Sequence, residues 1–304
     1  MKYFPKKLTM TWIRNSYKEG SLTPEELAGE IVRRAEKYRD YNIWIVAPDL
    51  KRMMDYIEKL PKDMESLPLW GIPFAVKDNI DVAGSPTTAA CPDYAYDPKE
   101  DAAVVKKLIE AGAFPVGKTN LDQFATGLVG TRSPYGEVKN ALDPELISGG
   151  SSSGSAVSVA LGMAAFSLGT DTAGSGRVPA ALNCLVGYKP SLGAWSTKGV
   201  VPACASLDCV TVFANSLEDA EKVNLAARGV DEECCWSREY KEPLPKIPKK
   251  ICLAKDGVTF YGPYEDIYKA KWEQAKKRIE DMGITVEYID YTMFSKAASI
   301  LYDG

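Results

Sequence analysis

The chain has 304 residues, a formal net charge of -4 and a pI near 5.3. That length permits one large domain or two ordinary ones, and the acidic balance argues against nucleic-acid binding through a basic surface. The sequence contains no histidine, which excludes Ser-His-Asp and Cys-His mechanisms and any His-ligated metal. Acid–base chemistry must therefore fall to Lys, Tyr, Asp, Glu or Cys.

The N-terminal segment, Met1 to Met10, carries lysines and a proline but no apolar core, so it is not typical of a signal peptide. The longest apolar stretch, Ala156 to Leu168, is too short to cross a bilayer and is expected to form a buried helix. Seven cysteines lie without C-x-x-C spacing, which favours reduced thiols over a disulfide framework or a zinc site. We therefore expect a cytoplasmic protein with no membrane segment, no metal and no cofactor.

Helix and strand patterns alternate along the chain, which predicts an α/β fold around a central sheet. Thr23 to Glu26 forms a capping box with proline at the first helical position, so a helix is expected to begin there. The apolar run from Gly71 to Val76 predicts a short strand that stops at Lys77. A helix is expected after Asp101, followed by a strand from Phe114 to Val116.

Small residues dominate from Gly149 to Gly176, where Gly, Ser, Ala and Thr replace almost all charges. Such a run can be a flexible linker. The interpretation that we favour is a packed centre, in which small residues let backbones approach closely and Ala156 to Phe166 forms a helix.

The last third predicts strands over 250–254 and 284–289, and helices over 265–282 and 293–302. We expect an N-terminal helical region over 1–60 and a core over 61–304, in one domain overall. Because Gly304 follows a predicted helix with no closing strand, the core is expected to be C-terminally incomplete.

Two segments match known functional motifs, but the residues around them do not fit those functions. Gly112 to Thr119 fits the phosphate-binding pattern G-x-x-x-x-G-K-[ST], but its first glycine closes a helix and an apolar strand fills its middle. ATP binding is therefore only a minor alternative. Gly150 to Gly154 fits G-x-S-x-G, a nucleophile turn that needs a histidine base, so this match is accidental.

Three segments carry residues suited to acyl transfer. They are Gly71–Asn79 (GIPFAVKDN), Gly149–Ser155 (GGSSSGS) and Asp171–Arg177 (DTAGSGR). In this order they resemble the amidase signature family, whose pattern is a lysine after an apolar strand, a Gly-Gly-Ser-Ser run and a Gly-Ser nucleophile loop. The spacing of the last two segments is the one that the family uses, and the likeness extends from about Leu69 to Ala214.

The resemblance implies a central mixed β-sheet covered by helices on both faces, and it assigns roles by position. Ser175 matches the acyl-forming nucleophile, and Lys77 matches the terminal base. Ser151 matches the serine that relays the proton between them, which in the family follows a cis peptide bond in the chain. In the family the relay serine is the first serine after Gly-Gly, which is Ser151 in this chain. Ser152 and Ser153 are then expected to cap the backbone or to pack.

The loop around the nucleophile supplies the oxyanion hole in this family, through the backbone N–H groups of Thr172, Ala173, Gly174 and Ser175. One such donor can be worth about 100–1,000-fold in rate. Asp171 and Arg177 flank the loop with opposite charges, and we expect them to brace it as an ion pair.

Lys77 is a base only when it is neutral, and a serine hydroxyl needs a base to become a good nucleophile. An unperturbed lysine has a pKa of about 10.4, which burial can lower by about 3–5 units. The apolar residues Phe74 to Val76 are consistent with such burial. A surface lysine at a strand end is the alternative that Lys77 alone would favour.

Residues 121–136 and 199–210 look like the allophanate hydrolase branch of the family, and Ala173 and Gly176 also fit it. The implied reaction is allophanate hydrolysis with ammonia release through a carbamoyl-type acyl-enzyme, after a biotin-dependent urea carboxylase has made the substrate. In that branch a Tyr and an Arg hold the carboxylate; Tyr302 fits the Tyr, and the Arg would fall beyond Gly304.

Two other interpretations stay open. The first is the amidase subunit of a tRNA-dependent amidotransferase, with glutamine as ammonia source, although Ala173 and Gly176 count against it. The second is a non-catalytic scaffold, since the chain is short. Amidase relatives are often dimers, so a homodimer is compatible with the resemblance.

Overall fold

The computed structural model describes residues 2–241, 246–256 and 258–303, without the side chains of 302 and 303. The chain divides into two compact units, Met1–Tyr240 and Lys241–Gly304. The predicted boundary near residue 60 stays a prediction. No helix in the described ranges combines the length and the apolar character that crossing a membrane requires.

A six-stranded mixed sheet forms the centre of the first unit. Its strands are β1 (Trp44–Val46), β2 (Pro73–Lys77), β3 (Phe114–Thr119), β4 (Phe166–Thr170), β5 (Val186–Tyr188) and β6 (Val210–Ala214). They lie in the order β1-β3-β2-β4-β6-β5. The middle strands β3, β2 and β4 run parallel, whereas β1, β6 and β5 pair antiparallel with their neighbours. The predicted α/β class with a mixed central sheet is confirmed.

The helices of the first unit are α1 (Met10–Lys18), α2 (Pro24–Lys37), α3 (Leu50–Ile57), α4 (Ala103–Glu110), α5 (Ser153–Ala160), α6 (Arg177–Leu182) and α7 (Leu217–Ala227). The predicted capping box opens α2, because the Thr23 hydroxyl accepts the N–H of Glu26 and the Glu26 carboxylate accepts the N–H of Thr23. Helix α5 packs against the parallel strands, and α7 packs against β6.

The small-residue segment is a packed centre, because residues 148–171 are all buried. Its glycines allow the close approach that the sequence predicts: a Cβ on Gly154 would lie 2.8 Å from the backbone nitrogen of Asn120. A Cβ on Gly169 would lie 2.7 Å from the Ser152 hydroxyl. The linker interpretation is therefore wrong.

The helix in this segment is shorter than predicted. Helix α5 ends at Ala160, and the chain is already in strand β4 at Phe166. Between them lies Gly162, which has a φ of +70°. A Cβ at this position would collide with the Lys6 carbonyl and the Arg34 side chain. The helix stops there because the left-handed backbone at a glycine ends it.

The second unit contains strands β7 (Lys250–Ala254) and β8 (Thr285–Ile289), and helices α8 (Glu265–Asp281) and α9 (Thr292–Asp303). The two strands pair in parallel. All four elements were predicted from the sequence to within two residues, which confirms those predictions.

The core of the first unit joins the N-terminal helices to the sheet. Leu27 and Ile31 of α2 belong to the same buried cluster as Phe74 and Phe166. The rings of Phe74 and Phe166 stack across β2 and β4, with centroids 5.2 Å apart. This pair involves the strand that carries Lys77.

We predict that Phe74→Ala lowers the free energy of unfolding by about 3–5 kcal/mol, because it removes a fully buried ring and leaves a cavity. Leu217→Ala, at a side chain that is 68% exposed, should change it by under about 0.5 kcal/mol. Urea unfolding followed by circular dichroism measures both. Equal effects of the two substitutions would contradict this account of the core.

Candidate active site

Parallel strands bring two side chains to one edge of the sheet. Lys77 is the last residue of β2 and Thr170 is the last residue of β4, and Val76 pairs with Leu168 in this parallel register. In open α/β sheets the carboxyl ends of parallel strands are where ligands bind. The segments with Ser151 and Ser175 come to the same edge.

Lys77 is fully buried, as the apolar strand before it suggests. Its Nζ lies 2.8 Å from Ser151 Oγ and 2.7 Å from Thr170 Oγ1. Burial lowers the pKa of Lys77 to about 7, although three carboxylates oppose this shift. They are Asp122, Asp208 and Asp171. The amine therefore changes charge close to neutral pH.

Ser151 lies just before helix α5, and the Gly150–Ser151 peptide bond is cis, as the resemblance implies. The neighbouring serines bond to backbone instead of to Lys77. Ser152 Oγ donates to the Thr170 carbonyl at 3.1 Å, and Ser153 Oγ donates to the Asn120 carbonyl at 3.5 Å. Among the three serines, Ser151 is thus the one in contact with Lys77.

Ser175 is 5% exposed and lies just before helix α6. Its carbonyl accepts the N–H of Ser152 at 3.4 Å, which places the nucleophile loop against the relay segment. The Ser175 hydroxyl donates to the Gly127 carbonyl at 3.3 Å, and within the described residues it makes no hydrogen bond to Ser151. Proton relay requires this hydroxyl to turn from Gly127 to Ser151, and catalytic contacts often tighten only when substrate binds.

Four backbone N–H groups of the nucleophile loop are the predicted oxyanion donors, and one of them has an acceptor within the loop. The N–H of Gly174 donates to Asp171 Oδ1 at 2.7 Å, so in this structure it is engaged within the loop, and its oxyanion role stays a prediction. Within the described residues, the N–H groups of Thr172, Ala173 and Ser175 have no protein acceptor. These three are the predicted donors that are free to meet an oxyanion without losing a bond.

Asp171 and Arg177 form the expected ion pair, with Nε and Nη2 of Arg177 at 2.8 and 2.9 Å from the carboxylate. Asp171 also accepts the N–H groups of Gly174 and Gly176. Burial would raise the pKa of Asp171, but the Arg177 guanidinium and these N–H groups hold it below its usual range. The pair fixes the loop on both sides of the nucleophile.

Sequence reasoning missed Asp122, a carboxylate with no exposure. It accepts the N–H groups of Val129, Gly130 and Arg132 at 3.2, 3.1 and 2.9 Å. Its own N–H donates to the Ser151 carbonyl at 3.0 Å. Asp122 therefore holds both the relay serine and the loop whose Gly127 carbonyl engages the nucleophile. The sequence signal that could have found it is its place in the family-like stretch 121–136.

Two further contacts were not predicted. Thr170 is the second hydroxyl on the Lys77 amine, and Asp208 accepts the hydroxyl of Thr172 in the nucleophile loop. Asp208 also accepts the N–H of Ala203 at 2.9 Å. No sequence pattern indicated either contact, because each joins segments that are far apart in the chain.

The phosphate-loop match has a structural explanation. Lys118 lies in β3 and is buried, with Nζ 3.2 Å from Asp78 Oδ1 and 3.0 Å from Thr87 Oγ1. Its amine also donates to the Pro86 carbonyl at 3.1 Å. The lysine of the motif is therefore committed to protein partners inside a strand, which argues against ATP binding at this motif. The side chain of Tyr302, the predicted carboxylate ligand, lies outside the described residues.

A family model, curated proteins and solved structures resemble this chain. The family model described as "Amidase" matches residues 26–304. Urea amidolyase of Saccharomyces cerevisiae is 47% identical over 86% of this chain and 14% of its own length. Allophanate hydrolase of Kluyveromyces lactis has a TM-score of 0.86 and 42% identity over 98% of this chain and 49% of that chain. A glutamyl-tRNA(Gln) amidotransferase subunit of Methanosarcina mazei is 35% identical over 98% of this chain and 62% of its length. The chain thus spans less than two thirds of each of these relatives.

We predict that Lys77→Met changes how stability depends on pH. The folded pKa of Lys77 is about 7 and the ordinary value is 10.5, so between these values the unfolded chain binds more protons. Wild-type stability relative to Lys77→Met should therefore rise with pH over this window, by up to about 1.4 kcal/mol per unit. Below pH 7 the lysine is charged in both states and the difference should be constant.

Urea unfolding at pH 6, 7, 8 and 9 measures this difference, and other groups cancel because they titrate in both proteins. Lys99→Met, at an exposed position, is the control and should follow the wild-type curve. Parallel curves for wild type and Lys77→Met would contradict the depressed pKa.

Proposed function

Because this chain belongs to the amidase family, we propose that it hydrolyses the C–N bond of allophanate, with Ser175 as nucleophile, Ser151 as relay and Lys77 as base. One observation carries the proposal: a buried lysine amine lies 2.8 Å from a serine hydroxyl in a chain without histidine. The substrate is supported by identity, which is higher with urea amidolyase (47%) and allophanate hydrolase (42%) than with the amidotransferase subunit (35%).

The first half of the reaction forms an acyl-enzyme. Neutral Lys77 accepts the Ser151 proton across the 2.8 Å contact, and Ser151 in turn takes the proton of Ser175. The Ser175 oxygen then bonds to the terminal carbamoyl carbon of allophanate. Negative charge develops on the carbonyl oxygen, where the N–H groups of Thr172, Ala173 and Ser175 would stabilise it.

The second half releases ammonia and restores the enzyme. As the tetrahedral intermediate collapses, its C–N bond breaks and the leaving nitrogen takes the proton that Lys77 returns through Ser151. Water then attacks the acyl carbon, with the same relay as base, and the Ser175–carbon bond breaks. Every proton in these steps is carried by the relay of Lys77 and Ser151.

The setting of the reaction is part of the proposal. Allophanate is a carboxylated urea, so a biotin-dependent urea carboxylase is the expected source of substrate. We also propose a cytoplasmic location, which the seven unpaired cysteines of the described chain support. A homodimer and a carboxylate-binding role for Tyr302 stay predictions.

The alternative function is glutamine hydrolysis as the amidase subunit of a tRNA-dependent amidotransferase. The 35% identity with such a subunit over 98% of this chain favours it. The catalytic steps would be the same, because only the acyl group differs. The assembled Lys77–Ser151 contact argues against the third interpretation, a scaffold without catalysis.

We predict that Ser175→Ala lowers ammonia release from allophanate by more than about 1,000-fold, because it removes the nucleophile. Ser153→Ala is the matched control from the serine-rich segment, and it should keep most of the activity since its hydroxyl bonds only to backbone. Ammonia is measured with allophanate, malonamide and glutamine. Full activity of Ser175→Ala would contradict the mechanism, and a preference for glutamine would favour the amidotransferase alternative.

We predict that Asp122→Asn moves the acidic limb of the pH profile of kcat/KM to lower pH. The negative charge of Asp122 raises the pKa of Lys77, so its removal makes the neutral amine available at lower pH. The maximal rate should also fall, because asparagine cannot accept all three loop N–H groups.

The measurement is kcat/KM between pH 5 and 9, with Asp97→Asn as an exposed control that should leave the limb in place. In the wild type the limb should lie near pH 7, where Lys77 titrates. A limb that stays, or moves to higher pH, in Asp122→Asn would be inconsistent with Lys77 as the base.

A further inference from the structure

A cavity of about 390 Å³, here called the α3–β3 cavity, lies between helix α3, strand β3 and the loop 82–85. Its volume is typical of small-molecule sites, which span about 300–1,000 Å³. Strand β3 bulges at this cavity, because Phe74 pairs with Pro115 and Ala75 pairs with Gly117, which leaves Val116 as an extra residue. Bulges re-aim side chains and often lie next to functional sites.

Charges of both signs line the α3–β3 cavity without pairing to one another. Arg52 and Lys59 bring positive charge, and Asp55 and Asp101 bring negative charge. Within the described residues none of the four side chains makes an ion pair. The Lys59 amine lies over the ring of Tyr56, and Asp101 accepts one backbone N–H at 2.8 Å. Opposite charges that share a cavity and do not meet leave space between them for a ligand that meets both.

Two hydroxyl groups complete the polar lining. Burial raises the pKa of Tyr56, Asp101 and Asp55 raise it further, and Arg52 opposes the rise, so this phenol lies among the four charges. Ser85 is 7% exposed, and within the described residues its buried Oγ has no hydrogen-bond partner. An unpaired buried hydroxyl costs free energy, and a hydrogen bond to a ligand would remove that cost.

The lining favours a ligand that is dipolar and has no net charge. The two cations balance the two carboxylates, so the cavity offers no excess attraction to a simple anion or a simple cation. The rest of the lining is largely apolar and includes the buried residues Val82, Pro115 and Val116. An α-amino acid with an apolar side chain combines an ammonium, a carboxylate and a hydrocarbon group within this volume. Each part has a matching surface, since charged groups form strong hydrogen bonds and buried hydrocarbon leaves water.

We propose that the α3–β3 cavity is a binding site for an α-amino acid with an apolar side chain. The carboxylate of the ligand meets Arg52 and Lys59, and its ammonium meets Asp55 and Asp101. Its side chain packs against Val116. The site is separate from the nucleophile loop, so binding does not depend on the proposed amide hydrolysis.

The test titrates the full chain at pH 7 with L-leucine and with two analogues that each carry one charge. 4-Methylpentanoate lacks the ammonium, 3-methylbutylamine lacks the carboxylate, and both keep the hydrocarbon. In calorimetry L-leucine should bind at least about 10-fold more tightly than either analogue, because each analogue loses a charge-assisted hydrogen bond. Binding of an analogue as tight as that of L-leucine would overturn the inference, and so would a lack of L-leucine binding.

Substitutions locate the binding. Arg52→Gln and Asp55→Asn should each weaken L-leucine binding by about 10-fold or more, and Ser85→Ala by about 2- to 10-fold. The matched controls are Lys51→Gln and Glu58→Gln, which remove exposed charges beside the first two residues but outside the cavity lining. These controls should bind like the wild type. Unchanged binding in both Arg52→Gln and Asp55→Asn would place L-leucine elsewhere and overturn the inference.

Ser175→Ala keeps this inference separate from the proposed function. This variant should bind L-leucine like the wild type, because Ser175 is not part of the cavity lining. L-Leucine binding in a chain without amide turnover would support the site while the proposed function fails. Turnover that depends on Ser175, with no L-leucine binding, would overturn the inference alone.

Discussion

A lysine amine buried without a carboxylate partner is the constraint on which this site depends. Within the described residues, the Lys77 amine hydrogen-bonds only to the hydroxyls of Ser151 and Thr170, and burial lowers its pKa to about 7. Lys118, one strand away, is the instructive contrast, because it is also buried but lies 3.2 Å from Asp78. Burial lowers the pKa of Lys118 as well, but there the charge of Asp78 and its hydrogen bond to the amine oppose the shift. Lys77 has hydroxyl partners alone, so no carboxylate contact holds its proton.

The carboxylates near Lys77 are placed to hold backbone. Asp122, Asp171 and Asp208 each accept backbone N–H groups, and together they fix the loops around Ser151 and Ser175. Their charges also oppose the lowering of the Lys77 pKa. Loop geometry and base strength are thus coupled, since any change to one of these carboxylates alters both. The pKa near 7 is the balance of burial against three fixed anions.

Much of the fold could be predicted because it rests on local patterns. Apolar periodicity and a capping box locate the helices and strands, and the family resemblance indicates which serines and which lysine form the relay. The differences between prediction and structure share one cause: each depends on contacts that form only in the folded chain. Helix α5 ends early at the left-handed backbone of Gly162, where the chain packs closely against Lys6 and Arg34, and Asp122 gains its role from three N–H groups of a later loop. The N–H of Gly174 is occupied because the folded loop turns it toward the Asp171 carboxylate. A sequence can therefore predict which residue types a site needs, but not which donors are already occupied.

Close packing leaves the catalytic loops little freedom to vary. A Cβ on Gly150 would meet Asp122, and one on Gly176 would lie 2.8 Å from the Thr211 hydroxyl. Substitution at these positions would displace the serines, so the proton relay is fixed by sterics as much as by chemistry. Side chains that do not pack inside these loops are the ones left free to vary. Ala173, next to the packed Gly174 in the nucleophile loop, is exposed, and its side chain takes no part in holding the relay.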